Sequence, residues 1–134
     1  MARGSSFGFM GRFGRSVDLR RMDEAMRAAD LHPAVVPEAV KLAAVNVLKA
    51  RFGEDPPADA YAPAADLIAY CMLGPSLFAG ANGLLATEAV EERIEAAIEA
   101  GEGSDAELVL LTVHARVIQP AVVERYGLEA EIGE

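Results

Sequence analysis

The candidate side chains for chemistry in this sequence are Cys71, His32, His114, Tyr70, Tyr61 and Asn82. Catalysis requires such groups to converge. His114 and Glu107 stand seven residues apart, on one side of a helix, and could form half of a metal or acid–base pair. No H-x-x-x-H, E-x-x-H or C-x-x-C pattern completes a ligand set. A lone histidine on a helix this apolar reads as a hydrogen-bonded structural residue. Cys71 has no lysine or arginine within one helical turn to lower its pKa, so it reads as a buried thiol rather than a nucleophile. Gly74, Gly80 and Gly83 match neither phosphate-binding glycine pattern, and no nucleophile elbow is present. No catalytic, metal-ligating or cofactor-binding residue is therefore assigned, no cofactor is expected, and the balance leans away from an enzyme. A small-molecule-binding or enzymatic helical domain would have to build its pocket from Tyr70, Cys71, Asn82 and His114.

A second group carries recognition chemistry. Residues 1–15 interleave Phe7, Phe9 and Phe13 with Arg12 and Arg15, and their glycines are too frequent for a stable helix. Read as an arm, this stretch could dock in a groove of its own or a neighbouring subunit. Its aromatics and arginines could alternatively hold single-stranded nucleic acid. Charge separates the two uses. The chain carries −9, yet residues 1–27 hold six arginines against three acids, leaving −12 on the remainder. An acidic body repels polyanions and anionic membranes and attracts its own basic arm. Protein, in particular a second copy, is the favoured partner, and nucleic acid is disfavoured.

Behind these groups lies a charge-free run, 67–87, between Asp66 and Glu88. It is long enough to suggest a membrane span. Gly74-Pro75 near its middle and Asn82-Gly83 later break it, and no basic residue flanks it. The run reads instead as two buried pieces: a helix over 63–73 stopped by Gly74, and a short segment over 76–81. Elements on either side must then present apolar faces to it.

Those elements follow from helical periodicity and caps. Ser16 caps a helix over 17–30 whose Leu19, Met22 and Met26 share a face. A helix over 37–52, stopped by Gly53, is apolar over most of its girth and leaves Lys41, Lys49 and Arg51 for solvent. Residues 54–59 form an acidic, proline-rich connector without calcium-loop spacing. Thr87 caps a helix to about Ala100, with Glu88, Glu91, Glu92, Glu95, Glu99 and Glu102 as a solvated acidic strip relieved by Arg93. Ser104-Asp105-Ala106-Glu107 matches a capping box and opens a helix to about Ile118. Pro120 starts a short helix over 120–126, followed by an acidic tail. Residues 32–36 and 119–123 share the pattern x-Pro-Ala-Val-Val and read as one local solution used twice.

The sequence thus predicts an all-α protein, a compact irregular bundle of about five to six helices around a central broken apolar pair. Residues 1–15 form the arm and 16–134 a single helical domain. With one cysteine and no secretory segment, a cytoplasmic location is expected. The expected function is a non-catalytic protein-interaction or adaptor domain that self-associates through Phe7, Phe9, Arg12, Phe13 and Arg15.

Overall fold

A computed structural model describes residues 16–129 of the chain. Every regular element among them is helical: α1 (Val17–Ala28), α2 (Glu38–Phe52), α3 (Tyr61–Leu73), α4 (Pro75–Asn82), α5 (Leu84–Ala100), α6 (Ser104–His114) and α7 (Pro120–Tyr126), with 3₁₀ turns at Pro33–Val35 and Ala58–Ala60. The all-α bundle is the observed architecture. The arm residues Phe7, Phe9, Arg12, Phe13 and Arg15 lie outside the described residues.

Helix α3 is the centre. Tyr61, Ala64, Ala65, Leu67, Ile68, Ala69, Tyr70 and Cys71 are all buried, so apolar surface runs around most of its circumference. It packs against α1, α4, α5 and α6. Its alanines let neighbouring backbones come close, while Ile68, Leu67 and Tyr70 fill the gaps between them. Gly74 then turns the chain at φ 91°, ψ 164°, a conformation open essentially to glycine alone. A Cβ there would meet Gln119 at an ordinary 3.7 Å, so the backbone angle, not crowding, demands glycine.

The second half of the uncharged run is not buried as expected. Helix α4 buries only Phe78, while Leu77, Leu84 and Leu85 are 66%, 69% and 83% exposed. Helix α4 lies between left-handed turns at Gly74 and Gly83 and keeps Phe78 inside, and lack of charge alone does not place a residue inside. No described helix is long and apolar enough to cross a membrane.

Helix α1 begins as its cap predicts: Ser16 Oγ accepts the Leu19 N–H at 3.2 Å. It ends two residues before the expected boundary, with Asp30 at φ 67° and the Leu31 N–H bonded back to the Met26 carbonyl. Helix α6 ends the same way, at His114 rather than near Ile118. Arg116 takes φ 62° and the Val117 N–H reaches the Thr112 carbonyl. Both are left-handed helix stops made without glycine.

Two other starts also differ from expectation. Helix α5 begins at Leu84, and the Thr87 hydroxyl donates to the Gly83 carbonyl at 2.8 Å instead of capping amides. Ser104 is the first residue of α6 rather than its cap; Gly103 holds the cap position and contributes no side chain. Of the two x-Pro-Ala-Val-Val stretches, 33–35 forms a 3₁₀ turn capped by His32 Nδ1, which accepts the Ala34 N–H at 3.0 Å, whereas Pro120 opens α7.

Lys41, expected in solvent, is only 5% exposed. Its Nζ donates to Asp23 Oδ1 and to the Pro33 carbonyl, both at 3.2 Å, with Glu38 Oε1 at 3.5 Å. A buried ammonium is tolerated only when so surrounded, and this one ties α2 to α1 and the 33–35 turn. A second node joins three helices. Asp18 Oδ1 of α1 accepts from the Tyr61 hydroxyl of α3 at 2.8 Å, and its Oδ2 lies 3.2 Å from Lys49 Nζ of α2.

The Tyr61 bond, with Lys49 and Arg21 assisting against burial, holds the Asp18 carboxyl below the ordinary aspartate range. A carboxylate favoured by folding stabilises the fold above its unfolded pKa, and that contribution fades as pH falls through the lowered folded value. Tyr61→Phe should therefore destabilise the protein by about 1.5–3 kcal/mol at neutral pH. Urea unfolding of both proteins should show that difference shrinking below about pH 4.

Candidate functional site

The four residues proposed for a pocket occupy separate settings. Tyr70 is buried on α3; its hydroxyl donates to Glu91 Oε2 at 2.7 Å and lies 3.5 Å from the Tyr126 hydroxyl. Its ring meets Phe78 edge-on, with centroids 5.7 Å apart. Burial first, then its hydrogen bonds to Tyr126 and Glu91, raise the Tyr70 phenol well above the tyrosine range. Cys71 is buried, and burial pushes its thiol up to about 12, against a smaller lowering by Thr112. That is opposite to the shift an attacking thiolate requires. Asn82 Nδ2 donates to the Ala29 and Phe78 carbonyls at 3.0 and 3.3 Å, fastening the end of α4 to the end of α1. His114, at the exposed end of α6, and Glu107 in its first turn both face solvent. Among the described residues, no three His, Cys, Asp or Glu side chains come together to hold a metal ion.

Glu91 was grouped by sequence with the solvated acidic strip, yet its side chain is only 17% exposed. One of its oxygens takes the Tyr70 hydroxyl and the other lies 3.5 Å from Arg125. Arg125 in turn sits 5.8 Å from the Tyr126 ring centroid. The signal was present in the spacing: Glu91 follows buried Thr87 by one turn and precedes buried Ile94 by three residues, at the edge of the inner stripe. Arg93 is likewise fixed rather than a loose counter-charge. Its Nε and Nη2 bond Asp105 at 3.1 and 2.9 Å, and its Nη1 bonds the Pro63 carbonyl at 3.0 Å.

What remains exposed and unusual is the corner between α4 and α5. Leu84 and Leu85 stand in water there, and Leu77, near the start of α4, is exposed as well. From Leu84, the helical repeat leads along one line through Glu88, Glu92, Glu95 and Glu99, all exposed. An apolar head thus continues into an acidic stripe on the same helix. Such a surface suits a partner that carries large apolar side chains beside positive charge.

The chain matches no protein-family model, and no curated protein or solved structure matches it. Tyr70→Phe should leave the Glu91 carboxylate short of a buried donor and lower stability by about 1–3 kcal/mol. Urea denaturation of Y70F, with an unchanged midpoint as the adverse result, checks whether this cluster locks α3, α5 and α7 together.

Proposed function

We propose that this chain is a non-catalytic helical interaction module that self-associates through the α4–α5 corner, with residues 1–15 as the docking arm. The observation that carries the reading is the exposure of Leu77 on α4 and of the adjacent pair Leu84 and Leu85 at the start of α5, each at least 66% exposed. Burying a leucine contributes roughly 1.5–3 kcal/mol. A two-fold contact would bring in the same residues from both copies, which roughly offsets an association cost of about 4–15 kcal/mol. Affinity beyond that has to come from further contacts. The glutamate stripe beside the leucines supports a basic, aromatic segment, and Phe7, Phe9, Arg12, Phe13 and Arg15 have that character. A reducing cytoplasm suits a chain whose lone cysteine is a buried free thiol.

Multi-angle light scattering over a concentration series tests this reading. The full chain should give a mass above the 14.1 kDa of one copy. The double variant L84D/L85D should return to one copy, and deleting residues 1–15 should move the dissociation midpoint to higher concentration. A full chain that stays at one copy throughout would overturn it.

A further inference from the structure

Two hollows flank Ile98 near the C-terminal end of α5. The one towards α6, about 150 Å³ and half enclosed, is lined by Ala97, Ile98, Gly101, Ala106, Val109 and Leu110, with no polar side chain. The other, towards α7, is wider and open, and sets Glu95 and Glu99 beside Ile98 and Tyr126. We propose that residues 1–15 fold back onto this groove of their own chain, with the phenyl ring of Phe7 or Phe9 in the first hollow and arginines against Glu95 and Glu99. The inference rests on the reading of residues 1–15 as a docking arm, and it names the seat.

Size and chemistry select an aromatic ring. An apolar cavity of about 150 Å³ accommodates a benzene molecule, and the α6-side hollow matches it in volume and lining. Ile98, 42% exposed, is the ridge between the two hollows. A segment laid across it can fill one side with a ring and the other with positive charge. Charge then selects the segment. Residues 1–15 hold Arg3, Arg12 and Arg15 and no acid, hence +3 against −12 on residues 16–134. No ion pair of Glu95 or Glu99 occurs among the described residues. Arg125, the cation in the same hollow, is already 3.5 Å from Glu91.

Reach makes the chain its own host. At the end of α2, Lys49 lies 3.2 Å from Asp18 at the start of α1, and Arg51 donates to Ser104 at the start of α6, just past the end of α5. The arm therefore leaves the body at the same pole where α5 finishes. Phe7 stands nine residues before Ser16, an extended span of about 30 Å, roughly the diameter of a small domain. A tethered segment meets its own site at millimolar effective concentration, which favours it over a neighbour's arm. Seated there, the arm also lowers the repulsion between two acidic bodies. It can thus support self-association at the α4–α5 corner without crossing the contact.

A nitroxide coupled to Ser5→Cys while Cys71 stays buried tests the seat in the full chain. Adding L84D/L85D lets the seat be read whether or not the corner self-associates. Nitrogen–proton correlation spectra should show the amides of Ile98, Gly101, Val109 and Leu110 broadened, and that of Asn82, before the other end of α5, unaffected. F7A/F9A should abolish the broadening, and E95K/E99K should lower occupancy roughly tenfold. The dilute chain without L84D/L85D supplies the comparison if that variant loses its native spectrum. No broadening at the groove, or broadening undiminished in F7A/F9A, would overturn the seat. A mixture of isotope-labelled chains lacking the nitroxide with spin-labelled chains of natural abundance separates the copies. Groove broadening as strong in that mixture as within one chain would assign the arm to a neighbour and overturn the own-chain proposal.

Discussion

A helix buried over most of its girth, as α3 is, still has to find partners for its C-terminal carbonyls, and here they come from the turn that follows it and from a later element. The Tyr70 carbonyl takes the Gly74 N–H at 2.9 Å. The Cys71 carbonyl takes the Gln119 N–H at 2.8 Å, and the Met72 carbonyl takes Gln119 Nε2 at 2.9 Å. One residue, forty-seven positions downstream of Met72, therefore caps the buried helix twice. It also fixes where α7 begins, because Pro120 follows directly. Unpaired carbonyls at a helix end seek donors, and this cap ties the segment between α6 and α7 to the end of α3.

The polar nodes obey the same logic at the other junctions. Lys41 with Asp23, Asp18 with Tyr61 and Lys49, Tyr70 with Glu91 and Arg125, and Arg93 with Asp105 each join elements that hydrophobic contact alone would allow to slide. Helices rich in alanine and valine present smooth surfaces, and hydrogen bonds of fixed direction set their register. Asp66 is the exception. It is the only charged residue on α3, and burial raises its pKa, with Arg93 pulling weakly the other way. Its partial burial opposes the fold at neutral pH, a modest penalty for running so apolar a helix to the edge of the core.

Where the sequence used the common vocabulary of caps and glycine stops, it could be read almost to the residue. Ser16, Gly53, Gly74, Gly101 and Gly127 mark boundaries that the structure keeps. Asp30 and Arg116 end helices in the left-handed region without glycine, and nothing local announces that, so both α1 and α6 stop before the ends their periodicity predicts. The Ser104 box marks the helix start to within one residue, but Gly103 holds the cap and the Ser104 hydroxyl accepts from Arg51, fifty-three residues away. Lys41 and Glu91 were assigned to solvent by charge, although both lie beside buried stripe positions. Residue type prevailed over phase, and the partners that make their burial tolerable, Asp23 and Tyr70, come from other helices. The exposed leucines escaped for the converse reason. Hydropathy says what a side chain prefers, while the turns at Gly74 and Gly83 decide where it goes.

The lone sulfhydryl at Cys71 turns this architecture into its own clock. With the thiol buried in the middle of α3 and its ionisation pushed up to about 12, alkylating and oxidising reagents meet almost no thiolate while the bundle is closed. Covalent labelling must wait for α3 to leave its neighbours, so the labelling rate in strong reagent reports the opening rate of the whole core. In the cell, the same geometry means that sulfur damage accumulates on molecules that have already opened.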